Sequence, residues 1–291
     1  MTDFRRGRVQ ANGIEFHYLE KGTGPLGLCL HGFPDCASTY RYLLPALAQA
    51  GFRAVAPFMR GYAPTGKPQD ARYQSVHLAQ DAVALIAALE ADSAFLVGHD
   101  WGALAAYGAA ALAPERIGKI VTIGAAHPAS LLGALATNYD TIKGGWHAYF
   151  FQMPFAEQAV AANDYEFLER WWRDASPEYE PPREIMESVK ETFRQPGVVT
   201  AALNYYRHTF NPANRDPALA ALQEKVAAPT PVPTLAFHGT KDRPGRLEAF
   251  ERMDQFFTKG VEKVILPGTG HFVHLERPVE VNTRIVEFLK H

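Results

Sequence analysis

Cysteine is scarce in this chain: two residues, Cys29 and Cys36, among 291. They form no Cys-x-x-Cys pair and no Cys/His cluster, so a metal site is not expected. Cys29 lies in an apolar run and reads as a small buried hydrophobe. An excess of one charge is also missing. The 29 Lys and Arg against 31 Asp and Glu leave a formal net charge of −2, which gives no electrostatic reason to expect nucleic acid or an acidic membrane as partner. No apolar run approaches the ~18 residues needed to span a bilayer. The opening MTDFRRGRVQ lacks the apolar core of a signal peptide. A cytoplasmic location is the simplest expectation. Repeats and low-complexity tracts are absent too. Hydrophobic residues make up 47% and charged residues 21%, values that point to a folded chain.

What is present is rhythm. Residues 8–12 and 14–20 read as two strands around a turn at Asn12-Gly13. Short apolar runs at 26–30, 53–58, 94–98 and 119–125 alternate with helical patterns at 39–50, 75–91 and 101–113. That alternation predicts a mostly parallel sheet flanked by helices. From 134 to 217 the strand pattern stops and the chain becomes helical and rich in aromatics, among them Trp146, Phe151, Trp171, Trp172, Tyr205 and Tyr206. Alternation resumes with strands at 233–239 and 263–267 and a last helix at 278–290. Residues 1–133 and 218–291 therefore read as an α/β core. Residues 134–217 read as a helical cap inserted after the sixth strand, at the carboxyl edge where such sheets bind ligands.

One turn carries chemistry. Gly98-His99-Asp100-Trp101-Gly102 follows an apolar strand and opens a helix. The spacing is that of a nucleophile elbow, with Asp in place of Ser. The glycines permit a tight strand-to-helix turn, and the helix N-terminus favours an anion there. As a plain helix cap, Asp100 would need no glycine two positions before it. Two companions support the elbow. His31-Gly32-Phe33-Pro34 follows an earlier strand, so the backbone amides of Phe33 and Trp101 are the expected oxyanion-hole donors. Asp242 follows the strand ending in Phe237-His238-Gly239, and His271 follows Gly268-Thr269-Gly270 after the last strand. Nucleophile, acid and histidine stand in the order of an α/β-hydrolase, with His271 to activate water and Asp242 to orient its ring. His31, His99, His127, His208, His238 and His274 are read as structural.

At these residues the chain resembles the α/β-hydrolase superfamily, in its epoxide hydrolase branch. The resemblance covers essentially the whole chain through His31–Pro34, Arg60-Gly61-Tyr62, Gly98–Gly102, Gly239–Asp242 and Gly270–Pro278. It implies an α/β-hydrolase fold and a two-step reaction. The aspartate opens the oxirane to form a hydroxyalkyl ester, and the histidine activates water to hydrolyse it. It also implies two cap donors for the epoxide oxygen. Leu203-Asn204-Tyr205-Tyr206-Arg207 places Tyr206 in one role. Trp146-His147-Ala148-Tyr149-Phe150-Phe151 resembles a variant that pairs His with Tyr and places His147 in the other, a departure from the usual tyrosine pair. Tyr139 and Tyr149 are the alternatives to His147. Phe33, Trp101 and Phe151 are expected to bind substrate. No cofactor is implied. The expected partners are a small-molecule epoxide and water, and a homodimer is left open.

The aspartate itself narrows the substrate. Attack on an ester carbonyl would give a high-energy anhydride, whereas attack on sp³ carbon gives an ordinary ester. Epoxides and alkyl halides both satisfy this. The rival readings are a haloalkane or haloacid dehalogenase with the same nucleophile, and a non-catalytic small-molecule receptor on the same fold. Trp101 would suit a halide, but Phe33 supplies no side-chain N–H and no arginine stands beside Asp100. A receptor would be expected to have lost a member of the triad.

Overall fold

A computed structural model describes residues 4–291. Strands β1 (Arg5–Ala11) and β2 (Ile14–Lys21) form an antiparallel hairpin. Its Asn12-Gly13 turn has φ of 45° and 75°, the positive pair that a two-residue turn needs to match strand twist. The remaining strands are β3 (Leu26–Leu30), β4 (Arg53–Pro57), β5 (Ala94–His99), β6 (Ile117–Ile123), β7 (Thr234–Gly239) and β8 (Val261–Leu266). They lie in the order β1-β2-β4-β3-β5-β6-β7-β8. Only β2 runs against its neighbours; every other pair is parallel. Strands β3, β5 and β7 are buried at every residue, as strands covered on both faces must be.

Helix α1 (Leu43–Gln49) follows a short 3-10 turn at Ala37–Arg41, so the single helix expected over 39–50 is split. Pro45 explains the break, because proline is at home in a first turn and unwelcome further in. Helices α2 (Ser75–Ala88) and α3 (Trp101–Leu112) cover one face of the sheet. They approach closely because the contact is made of small residues: a Cβ at Gly108 would lie 2.8 Å from the Cβ of Ala79.

Between β6 and β7 the chain forms α4 (Pro128–Thr137), α5 (Tyr139–Gly144), α6 (Trp146–Phe150), α7 (Ala156–Ala175), α8 (Arg183–Phe193), α9 (Val198–Phe210) and α10 (Ala220–Lys225). No strand interrupts them among the described residues. The boundary expected at 133/134 falls inside α4, whose start is set by Pro128 at its first position. After β7 come α11 (Leu247–Glu251), α12 (Val273–Glu276) and α13 (Pro278–Lys290). The helix expected over 245–257 is reduced to α11 and a 3-10 turn at Asp254–Phe256, since Arg246 enters with φ of 44°. Helices α1 and α13 cover the second face.

The helices between β6 and β7 are fastened over the carboxyl ends of the strands by specific bonds. The Trp172 indole donates to the Pro34 carbonyl at 2.8 Å. The Tyr205 hydroxyl donates to the Arg60 carbonyl at 2.8 Å. The Arg60 guanidinium is itself buried and makes a two-pronged pair with Asp81 at 2.6 and 2.7 Å, the geometry that best offsets desolvation of both charges. No helix among the described residues is long and apolar enough to cross a membrane.

Candidate active site

Asp100, His271, Asp242 and the Phe33 amide each follow the carboxyl end of a strand. Asp100 follows β5 and caps α3 with φ 52° and ψ −116°, a conformation that an L-residue holds only when its surroundings force it. The surroundings are the two glycines of the elbow. A Cβ at Gly98 would collide with the backbone of Gly102, and one at Gly102 would collide with the carbonyl of Leu30. Gly32, after β3, has no room for a Cβ because the Asp100 side chain occupies that space. This close approach lets Phe33 N–H donate to Asp100 Oδ1 at 2.8 Å. The Trp101 N–H supports the same carboxylate. Burial pushes the Asp100 carboxyl above the ordinary range, while His271 and the two amides pull it back.

His271 Nδ1 and Asp242 Oδ2 lie 3.0 Å apart. The other ring nitrogen, Nε2, is buried without a protein hydrogen-bond partner and sits 3.8 Å from Asp100 Oδ2. Burial favours a neutral ring, but the Asp242 charge and hydrogen bond outweigh it, with help from Asp100, and raise the His271 pKa. Asp242 moves the other way: burial is outweighed by His271, His238 and the Gly245 N–H, which reaches Oδ1 at 2.8 Å. A carboxylate that stays charged therefore stands behind a histidine made more basic. Gly124, after β6, leaves space for that ring, since a Cβ there would sit 3.0 Å from His271 Nδ1.

A cavity of about 440 Å³ opens over these groups, lined by Asp100, Trp101, His147, Tyr206 and His271. Its remaining wall is largely apolar, including Leu104, Pro128, Leu131, Leu135 and Phe210. The structure thus brings together five of the expected site residues from the β5–α3 turn, α6, α9 and the loop after β8, while Asp242 stands behind His271. Tyr206 is packed against Trp101 and His147, with ring centroids 4.9 and 5.4 Å away. Burial and the nearby Asp100 charge hold its hydroxyl well above the usual phenol range, so it remains a proton donor. Burial, with a smaller effect of His271, lowers His147 to about 3. Its imidazole is neutral at neutral pH, and Nδ1 has no protein partner. Neither Tyr139 nor Tyr149, the alternatives to His147, lines the cavity; they are 75% and 45% exposed.

Two substrate-binding expectations need correction. The rings of Phe33 and Phe151 are fully buried and do not line the cavity. Phe33 meets Phe151, Trp171, Phe193 and Tyr206 edge to face at 5.2–5.9 Å. Phe151 lies 5.0 Å from Tyr206 and 5.7 Å from His147. These rings brace the donor pair from behind, and of Phe33 it is the amide that reaches Asp100. Sequence reasoning also missed Glu276. Its carboxylate accepts from Gly270 N–H at 2.9 and 3.0 Å and from Ser176 Oγ at 2.8 Å, pinning the turn that delivers His271. A carboxylate inside the motif Gly270–Pro278 was the available signal. Asp35, His99 and His274 are the one group among the described residues with metal-ligand chemistry, their ligand atoms within 4.8 Å of one another. They lie outside the cavity lining. His99 Nε2 lies 3.2 Å from the His271 carbonyl and His274 Nε2 lies 2.7 Å from Thr39 Oγ1.

Comparison with known proteins agrees with the fold. Residues 28–278 match the family described as alpha/beta hydrolase fold. The chain is 32% identical over 307 residues to an epoxide hydrolase of Caballeronia sordidicola, covering 97% of this chain and 92% of the relative. It is 31% identical over 287 residues to the AB hydrolase superfamily protein YfhM of Bacillus subtilis, covering 97% and 96%. The crystal structure of epoxide hydrolase A from Mycobacterium thermoresistibile superposes with a TM-score of 0.82 at 26% identity, covering 99% of this chain and 98% of that one. The chain belongs to the α/β-hydrolase superfamily, with the fold and elbow that define it. Within it, this sequence falls in the epoxide hydrolase branch.

Proposed function

We propose that the protein hydrolyses an epoxide to a vicinal diol through an ester on Asp100. The observation that carries this reading is the pairing across one apolar cavity of a carboxylate nucleophile with two neutral donors, Tyr206 and His147. Asp100 attacks an oxirane carbon, the C–O bond breaks, and the oxygen takes the Tyr206 proton as it gains charge, with His147 donating a hydrogen bond to it. Water activated by His271 then attacks the Asp100 carbonyl carbon. Phe33 and Trp101 amides are placed to hold the resulting oxyanion, and the ester bond breaks to release the diol. The helices over 134–217 act as the cap that carries the donor pair and excludes solvent. The epoxide hydrolases among its relatives support the substrate class.

A single turnover in oxygen-18 water tests the ester. The first diol is expected to carry unlabelled oxygen from Asp100; label taken directly from water in that turnover would overturn the mechanism. One observation favours a second reading. The Trp101 indole N–H is buried without a hydrogen-bond partner beside the cavity and could receive a halide. Bromide release from 1-bromobutane without diol formation from styrene oxide would establish a dehalogenase instead.

A further inference from the structure

The ester mechanism creates a supply problem. While the ester exists, the substrate's carbon body is covalently held in the apolar cavity, in front of His271 Nε2. The next reactant is water, and it must reach that nitrogen with the cavity occupied. A second pocket, also of about 440 Å³, lies on the far side of His147. His147 and Pro244 line both spaces. The two differ in character. The second pocket is rimmed by Asp140, Lys143, Asp174, Arg243 and Arg246. Its ion pairs are loose, with Arg243 to Asp174 at 3.9 Å and Arg246 to Asp140 at 3.8 Å, leaving the charges to solvent. Its inner wall includes Trp171, and the Trp171 ring stands 5.6 Å from the His271 ring, centroid to centroid. One aromatic layer therefore separates a pocket of solvent-exposed charges from His271.

We infer that this charged pocket admits the hydrolytic water, past Trp171 and His147, while the apolar cavity admits the epoxide. The inference rests on the ester reading above. It assigns the two reactants to separate doors matched to their polarity. The step it feeds is balanced: water oxygen bonds the Asp100 carbonyl carbon and His271 Nε2 takes its proton. The alkyl–oxygen group then leaves and is protonated by the imidazolium, and water's second proton passes from Asp100 to Tyr206, restoring the phenol and releasing diol and free carboxylate.

The test plugs the pocket from outside, at exposed positions that touch neither reacting atoms nor the core. Lys143→Trp and Asp174→Trp, singly and together, are mixed with excess styrene oxide under pre-steady-state conditions. Formation and decay of the ester are followed by intact-protein mass. Ester formation is expected to stay within about twofold of the unmodified protein, with decay slowed about tenfold in the double variant. Leu135→Trp, which narrows the apolar cavity, is expected to do the reverse: slower formation and unchanged decay. Unchanged decay in all three pocket variants, with the ester forming normally, overturns the inference and leaves the ester mechanism standing. An ester that never forms in the unmodified protein, under conditions where diol is produced, overturns the mechanism and the inference with it.

Discussion

The two halves of the site are held by different forces. On the core side, Asp100, His271 and Asp242 are fixed by directional bonds: an amide at 2.8 Å, a carboxylate at 3.0 Å and glycines that admit no other path for the backbone. On the helical side, Tyr206 and His147 are fixed by packing against Phe33, Phe151, Trp101 and Trp171. Directional bonds set an atom's position to tenths of an ångström, as the proposed ester chemistry on Asp100 requires. Ring packing sets a wall and a general direction, which is sufficient for the donor role proposed for Tyr206 and His147.

Breaking the core side is expected to have the larger effect. Asp242→Asn preserves shape but removes the charge that raises His271 and fixes its tautomer. Turnover should fall by about 10³–10⁴-fold, with ester decay, measured by rapid quench, absorbing most of the loss. Ester formation falling as far as decay would show that Asp242 acts on Asp100 as well. On the helical side, Tyr206→Phe and His147→Leu should each slow ester formation by about a hundredfold, with decay little changed. His147→Gln, which keeps an N–H at that position, should recover part of the His147→Leu loss. Equal rates for Gln and Leu would reduce His147 to a wall.

The smallest effect concerns pH. His147 is held near 3 in the folded protein against 6.5 when unfolded. The unfolded chain therefore binds a proton that the folded chain refuses, over the window between those values. Stability is expected to fall as pH drops from 6.5 toward 3, by about 1.4 kcal/mol per unit for a fully shifted group. His31 and His127, each lowered to about 4, and His274, lowered to about 3, act in the same direction. Urea unfolding of His147→Phe at pH 7 and pH 5 should show a shallower slope than the unmodified protein. An identical slope would mean that the ring is already solvated when folded.

The same contrast explains what could be read in advance. Strands β3 and β7 and helix α13 sit within a residue of their expected ends, because a proline stands at or just before each start: Pro25, Pro233 and Pro278. The Asp100 elbow was legible because backbone strain demands glycine at fixed offsets, which writes a motif. Packing writes none. Phe151 carries the same letters whether it lines a cavity or stands behind its wall, and only three dimensions put it behind. Glu276 was missed because its partners, Gly270 N–H and Ser176 Oγ, lie 6 and 100 residues away. No local pattern records the second of those contacts.

Tyr205 and Tyr206 are neighbours on α9, and successive helical residues point about 100° apart. Tyr205 is bonded to the Arg60 carbonyl, and Arg60 is gripped by Asp81, which also accepts from Asn12 at 2.7 Å. Tyr205 thus works as a locating pin for the helix, fixing its rotation about its own axis and with it the bearing of Tyr206. The aim of the Tyr206 hydroxyl is indexed, through one phenol, one guanidinium and one carboxylate, to the hairpin turn at Asn12. A lengthened α9 could keep every apolar contact and still point Tyr206 the wrong way.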